Sequence, residues 1–510
     1  MRAMSRTVIG TRIALWRGWL ADKGSFPLAM SVILLAGCGI AGDIEQATTT
    51  RSSRPNVVIL LADDLGYGDI APYGGRADTP SLSSLANEGV TFTEFYAPAP
   101  LCSPSRAGLL TGRWPARANI HSYIRARRVG RDLPQEDTFL EVSEYTLGEF
   151  FSQNGYETAH FGKWHLGSYP PSRSRPHPTL ADHGFDYTFG SENNAEPSHR
   201  NPRNFARNGV RLGELTGYSS QLLVDEAISQ LPIDASNAAP FFHFLAFHEP
   251  HSPIASPPEL TEKYSSFGDP TDEYLANLEN LDAAIGRYLA ALEARRLANN
   301  TIVIFFSDNG PIAPGSAGAL RGKKSFVYEG GIRVPAIIRG PGFAQGARTS
   351  FPANAVDLFP TLISLLGSTV DCDDTDCAFD GVDLAPILYG SIENHRARPM
   401  YWFFYRNKPE AALRQGDFLL LGSSEDWTPR THWLSLEDLE FIAGFTAKRY
   451  ELYNVRQDPM QQRDLATQRP ELVSSMAALL QQEHRKANKN VMKRSALPRR
   501  ENWPRKEVWP

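Results

Sequence analysis

Three stretches of the chain are apolar at nearly every position: 56–62 (Asn-Val-Val-Ile-Leu-Leu-Ala), 240–246 (Pro-Phe-Phe-His-Phe-Leu-Ala) and 301–306 (Thr-Ile-Val-Ile-Phe-Phe). Runs this short and unbroken suit strands of a parallel sheet covered on both faces, since a strand with one wet face alternates apolar and polar residues. A different period fills 272–297, where Leu275, Leu278, Leu281, Ile285 and Leu289 recur at the spacing of one helix face. Strand and helix in alternation predict an α/β fold with a mostly parallel central sheet flanked by helices. After about residue 395 the texture changes. Short apolar runs at 400–405, 411–414, 418–421 and 450–454 are separated by turn residues, and a helical pattern follows over about 470–486. These predict a smaller antiparallel sheet with one helix.

Two of the three long runs end in polar side chains, Asp63-Asp64 and Ser307-Asp308-Asn309-Gly310. Ligands in open α/β sheets bind beyond the carboxyl ends of the strands, so four oxygen-bearing side chains fall where an active site is expected. Three converging carboxylates repel one another and call for a cation. All-oxygen ligands select a hard ion, Ca²⁺ or Mg²⁺, over zinc.

Length and charge add limits. The 510 residues suffice for two domains. With 52 basic against 57 acidic side chains the net charge is −5, which argues against a nucleic-acid partner and leaves any affinity for anions to a local basic cluster. The residues from 485 to 510 are rich in Lys and Arg and hold Trp503 and Trp509. This basic tail is either solvated or suited to gripping an anionic polysaccharide or lipid headgroups.

The four cysteines read as three separate features. Cys372 and Cys377, in an acidic loop, suit a small disulfide in an exported protein or, alternatively, a metal site. Cys38 ends a leader in which Lys23 is followed by an apolar stretch over 26–35 and then Leu-Ala-Gly-Cys, too short to span a membrane. Those four residues resemble the lipobox of bacterial lipoproteins. The resemblance implies a signal peptide over 1–37, a lipid anchor at Cys38, a tether over 38–53 and export to the periplasm or cell surface; ordinary cleavage nearby is the alternative. Cys102 has no partner left.

Cys102 opens the segment Cys-Ser-Pro-Ser-Arg-Ala-Gly-Leu-Leu-Thr-Gly-Arg over 102–113. Locally, Ser103 is a candidate helix N-cap, Pro104 suits the first helical position, and Gly112 offers a stop. Position 102 therefore sits at a helix start, where free N–H groups favour an anion. The segment resembles the signature of the type I sulfatases, in which this cysteine is oxidised by a maturation enzyme to formylglycine (3-oxoalanine). The resemblance covers roughly 54–390 strongly and 400–466 more loosely. It implies an alkaline-phosphatase-like fold with a catalytic domain over 54–394, a C-terminal subdomain over 395–486 and a basic tail over 487–510.

Carried over residue by residue, the resemblance assigns a metal, Ca²⁺ before Mg²⁺, to Asp63, Asp64, Cys102, Asp308 and Asn309. Arg106 joins the catalytic set. In Gly162-Lys-Trp-His-Leu-Gly167, Lys163 contacts the sulfate and His165 the formylglycine hydroxyl. Counting from Ala246 selects His251 over His248 as the general acid, and aligning Tyr328-Glu-Gly-Gly331 selects Lys324 over Lys323 as the substrate lysine. One position departs from relatives that carry serine: Asn194, which can still donate a hydrogen bond to substrate.

The implied reaction has one hydroxyl of the hydrated aldehyde attack sulfur while His251 protonates the departing oxygen; the second hydroxyl then expels sulfate. The implied substrate is an organic sulfate ester, on a small molecule or a sulfated polysaccharide. Two alternatives stand beside it: a formylglycine-dependent phosphonate or phosphodiester hydrolase, and a non-catalytic lipoprotein that binds sulfated glycans.

Overall fold

Eleven strands form the main sheet of the computed structural model: β1 (Asn56–Ala62), β2 (Val90–Tyr96), β3 (Glu157–Lys163), β4 (Tyr187–Ser191), β5 (Ala206–Arg207), β6 (Val210–Arg211), β7 (Phe241–Ala246), β8 (Thr301–Ser307), β9 (Arg333–Arg339), β10 (Ala347–Thr349) and β11 (Ala353–Asn354). The structure describes residues 54–124, 139–171, 177–233, 238–370, 378–392, 395–405, 409–425, 436–489 and 491. The leader with Cys38, the tether, the Cys372/Cys377 loop and the tail from 492 lie outside the described residues. Among the described residues no helix is long and apolar enough to cross a membrane.

The strand order is β10-β2-β9-β8-β1-β7-β3-β4-β5-β6, with β11 also paired to β2. The centre is parallel, as expected from the three apolar runs: β8, β1, β7, β3 and β4 all point one way. Antiparallel pairing enters at β9, which lies between β8 and β2, and at β5 and β6. The sequence pattern did not disclose β2 and β9: Glu94 lies within the first, and the second is bounded by Arg333 and Arg339 with Pro335 inside it. Glu94 and Arg333 are both buried, Glu94 against the distant Arg414 and Arg333 against Glu329, four residues before it.

Every residue of β1 is buried, and its two faces feed different cores. Val57, Ile59 and Leu61 pack with the helix Cys102–Thr111 and with Phe242 and Phe244. Val58, Leu60 and Ala62 pack with the helix Thr271–Ala294, whose Leu278, Leu281 and Ile285 form the expected apolar face. Each such side chain contributes roughly 1.5–3 kcal/mol by leaving water. The register sets the site: Ala62 pairs with Ser307, Leu61 with Ala246, and Ala246 with Gly162. The residues just beyond that row, Asp63, Asp308 and Lys163, therefore emerge at one edge.

Close approach at this row requires glycine. A Cβ on Gly162, which sits at φ 104°, would lie 1.9 Å from the Ala246 carbonyl oxygen. β3 runs through Gly162 to Lys163, so Lys163 itself closes the strand.

The C-terminal residues form the predicted antiparallel sheet, β12 (Met400–Phe404), β13 (Glu410–Gln415), β14 (Phe418–Ser423) and β15 (Arg449–Asn454) in sequential order, with the helix Pro470–Ala487 beside it. Met400, Trp402, Leu420 and Leu480 share one apolar cluster with Tyr96, Trp114 and Val356 of the larger unit. The Trp402 indole donates to the Ala97 carbonyl (2.8 Å), and buried Arg414 of β13 reaches Glu94 and Tyr96 of β2.

Candidate active site

The helix Cys102–Thr111 is buried at all ten positions and begins two residues earlier than its sequence suggests. Leu101, in extended conformation, is the N-cap; Ser103 is not. The Ser103 hydroxyl instead accepts from the Ile124 N–H (2.9 Å), while Ser105 accepts from and donates to the Ala99 backbone. Cys102 thus occupies the first helical position itself. Gly112 ends the helix in the left-handed conformation (φ 64°), its N–H donating to the Gly108 carbonyl (2.9 Å), as its sequence predicts.

The polar side chains at the sheet edge converge on this cysteine. Asp63, Asp64, Cys102 and Asp308 present ligand atoms within 4.8 Å of one another, and all four are buried. Three cations meet the three carboxylates. Lys163 donates to Asp63 (2.7 Å); Arg106 donates twice to Asp308 Oδ2 (2.9 and 3.0 Å); Lys324 spans both Asp64 oxygens (2.6 and 2.7 Å) and reaches Cys102 Sγ (3.3 Å). Asn309 donates to Asp64 Oδ1 (2.8 Å). Lys323 is exposed, whereas the neighbouring Lys324 is the one that reaches the cluster.

The two candidate histidines separate as well. His251 is partly exposed, with Nε2 3.6 Å from Asp64 Oδ2. His248 is buried, stacks on Phe205 (centroids 5.1 Å apart) and donates from Nε2 to the Ser191 hydroxyl (2.8 Å), which itself donates to the Asn193 carbonyl. His165 donates from Nε2 to the Ile124 carbonyl (2.9 Å), leaving Nδ1 as a buried acceptor with no hydrogen-bond partner.

Two site residues sit in a strained backbone conformation. Asp64 (φ 67°) and His165 (φ 58°) are both left-handed, at roughly 1–2 kcal/mol each for side-chain-bearing residues. Both follow the ends of central strands, where the chain must turn sharply to present a side chain to the pocket.

Burial shapes the protonation of these groups. It opposes charge on Asp63, yet Lys163, His251, Arg106 and Lys324 together hold that carboxyl well below its usual range. Burial, and then the charge on Asp63, push Asp308 up. Burial also lowers His251, and with Lys163 and Arg106 nearby it lowers His165 further. The Cys102 thiol is pushed strongly up by burial, more than Lys163 and Lys324 can offset.

The donor set suits a divalent cation. Every candidate ligand apart from position 102 is an oxygen, and two of those oxygens, Asp63 Oδ1 and Asn309 Oδ1, are buried without a hydrogen-bond partner. Orphaned carbonyl-type oxygens in a dry pocket are what a hard cation satisfies.

Sequence reasoning did not foresee the anchoring of the His251 loop. Buried Glu249 accepts from the Ser219 hydroxyl and the Ser220 N–H (2.8 Å) at the start of the helix Ser219–Ser229, and its carbonyl accepts from the Asp63 N–H (3.0 Å). An acid flanked by histidines carries no sequence signal that it is buried.

A buried helix start, three cations and an oxygen cluster meet at one edge of an alkaline-phosphatase-like sheet, a pocket built to receive an anionic group. The Sulfatase family model matches residues 55–368. The chain belongs to this family, as a type I sulfatase, and is a sulfuric ester hydrolase. It is 33% identical over 440 residues to N-acetylgalactosamine-6-sulfatase of Canis lupus familiaris, covering 81% of this chain and 78% of that one. With arylsulfatase A of Homo sapiens it shares 34% over 424 residues, 77% of each. The fold matches the crystal structure of Ps i-CgsB in complex with k-i-k-neocarrahexaose at a TM-score of 0.71 and 24% identity, over 88% of this chain and 98% of that one.

Proposed function

We propose that the chain hydrolyses a sulfate ester on a sulfated carbohydrate, using formylglycine derived from Cys102 and a divalent metal, Ca²⁺ in preference to Mg²⁺. The observation that carries this reading is the state of Cys102. It sits at a buried helix start, touched by Lys324, with its thiol held protonated by burial. A buried thiol of raised pKa is a poor nucleophile. Conversion to an aldehyde removes that handicap, because the hydrated form supplies two hydroxyls on one carbon, one to attack sulfur and one to release sulfate.

The chain's own residues then divide the work. Asp63, Asp64, Asp308 and Asn309 would hold the metal, which when bound screens the sulfate charge and contributes several kcal/mol. Lys163 and Lys324 bind sulfate oxygens, and Arg106 holds Asp308 in place. The free Nδ1 of His165 is oriented to accept a hydrogen bond. His251 Nε2 delivers a proton to the leaving oxygen, a role suited to imidazole.

Carbohydrate sulfate is supported by the relatives' names, N-acetylgalactosamine-6-sulfatase among them, and by a structural neighbour in complex with D-glucosamine-2-N,6-O-disulfate. Maturation requires a formylglycine-generating partner enzyme. The Leu-Ala-Gly-Cys38 sequence supports an exported lipoprotein anchored through Cys38 and facing the periplasm or cell surface.

The direct test is the mass of the tryptic peptide 77–106 from protein made in its own host. The expected result is the mass loss produced when CH₂SH becomes CHO; an unmodified cysteine there would sink the proposal. A second test separates the histidines. His251→Ala should lower kcat by about 10²–10⁴-fold on esters with poor leaving groups. His248→Ala should instead cost about 2–3 kcal/mol of stability, from the lost stacking on Phe205 and the lost hydrogen bond to Ser191, with no change in leaving-group dependence. Steady-state kinetics and thermal melts on both variants decide it.

A further inference from the structure

We infer that Asn194 is a positioning residue for the general acid: through the Ser252 carbonyl it fixes the tautomer and orientation of His251, and it does not bind substrate. The inference rests on the reading of His251 given above.

The contacts are unambiguous about which atom is which. Lys163 Nζ can only donate, so the Asn194 atom 3.3 Å from it is Oδ1. The Ser252 carbonyl can only accept, so the atom 3.0 Å from it is Nδ2. The amide therefore has one orientation, with a terminus on each of two catalytic segments: the end of β3, through Lys163, and the loop that carries His251.

The same Ser252 oxygen lies 2.6 Å from His251 Nδ1. A carbonyl cannot donate, so Nδ1 carries the hydrogen. Nε2 is then the nitrogen that gains and gives up a proton, and it is the one facing the pocket, 3.6 Å from Asp64 Oδ2. One carbonyl oxygen accepts from both His251 and Asn194, and Asn194 is itself held from behind by the Asn204 amide on its backbone oxygen (2.8 Å). Without the Asn194 donor, Ser252 keeps only its attachment through His251, the side chain it is meant to orient. A serine at position 194 is too short to span from Lys163 to Ser252, so this bridge depends on asparagine.

A donor that acts only through His251 matters only when the leaving oxygen needs its proton. The test compares two esters with the mature, full-length enzyme: phenyl sulfate, a poor leaving group, and 4-nitrophenyl sulfate, a good one. Asn194→Asp keeps the shape and the acceptor toward Lys163 and removes the donor toward Ser252; Asn194→Ala removes both. We expect each to lose about 10–100-fold in kcat on phenyl sulfate and less than about threefold on 4-nitrophenyl sulfate, with KM unchanged. In the His251→Ala background Asn194→Asp should add no further selective loss, as residues acting through one group are non-additive. An equal loss on both esters, a raised KM, full additivity with His251→Ala, or no loss at all overturns the inference. Should Asn194→Ala fail to fold, the isosteric Asn194→Asp still decides. An unmodified Cys102 in the peptide 77–106 would instead refute the proposed function.

Discussion

Cys102→Ser is expected to release about one equivalent of alcohol per protein and then stop. Serine places a single hydroxyl at the same helix start, against the same Lys324 and Asp64, so attack on sulfur remains geometrically open. The attack transfers the sulfuryl group to the serine oxygen and frees the substrate alcohol. A single hydroxyl leaves nothing on that carbon to expel sulfate, so the ester persists. Steady-state turnover should fall by at least about 10³-fold, equivalent to about 4 kcal/mol of barrier. Burst stoichiometry with 4-nitrophenyl sulfate, together with the intact mass of the protein afterwards, reads both halves of the expectation. Sustained turnover near the unmutated rate would show that the second hydroxyl is not what releases sulfate, and the aldehyde mechanism would fall.

The legibility of this site from sequence follows from where parallel strands end. Asp63-Asp64 and Asp308-Asn309 each follow a central strand, so local pattern alone places them at one edge; Lys163 came with the family resemblance, and the register brings it level with them. The fold core was legible for the same reason: β1, β7 and β8 are buried on both faces and so read as unbroken apolar runs. What sequence could not show are the features built from distant partners. Glu94 and Arg414 are 320 residues apart, and each looks like a surface charge until the other is seen beside it. Ser103 has the chemistry of a helix cap, yet Ile124 claims its hydroxyl, and Leu101 takes the cap position with no side-chain bond at all. Asn194 drew notice as a departure from serine, but its bridge between Lys163 and Ser252 exists only once three loops have folded together.

Charge balance gives the pocket its logic. Three carboxylates face three cationic side chains, Arg106, Lys163 and Lys324, so the described side chains come close to neutral by themselves. A divalent ion added to the oxygen cluster would leave the pocket net positive by about two charges, in a site of low effective dielectric where each counts heavily. A sulfate monoester enters such a pocket without an uncompensated anion. Selectivity for an anionic ester then comes from the site alone, consistent with a molecule whose overall charge of −5 provides no attraction.

That balance makes loss of the metal ligands the second large effect. Asp308→Ala removes one oxygen of the cluster and strips Arg106 of its two hydrogen bonds to that carboxylate, leaving a buried guanidinium hydrogen-bonded to the Lys163 carbonyl and 3.7 Å from Asp63 Oδ1. Activity should fall by at least about 10³-fold, since the lost Lewis acid alone is worth several kcal/mol. Activity cannot separate metal loss from a collapsed pocket, so a binding readout is needed. After treatment with a chelator, unmutated protein titrated with Ca²⁺ to about 100 times its Kd should gain about 2.7 kcal/mol, raising the melting temperature by roughly 3 °C. Asp308→Ala should melt at one temperature whether Ca²⁺ is present or absent. Asn309→Ala, which removes an orphaned oxygen and leaves Arg106 paired, should show a reduced Ca²⁺ shift with a near-normal melt in its absence. A calcium-dependent shift of full size in both variants would place the ion elsewhere, and a larger shift with Mg²⁺ than with Ca²⁺ would reverse the assignment of the metal.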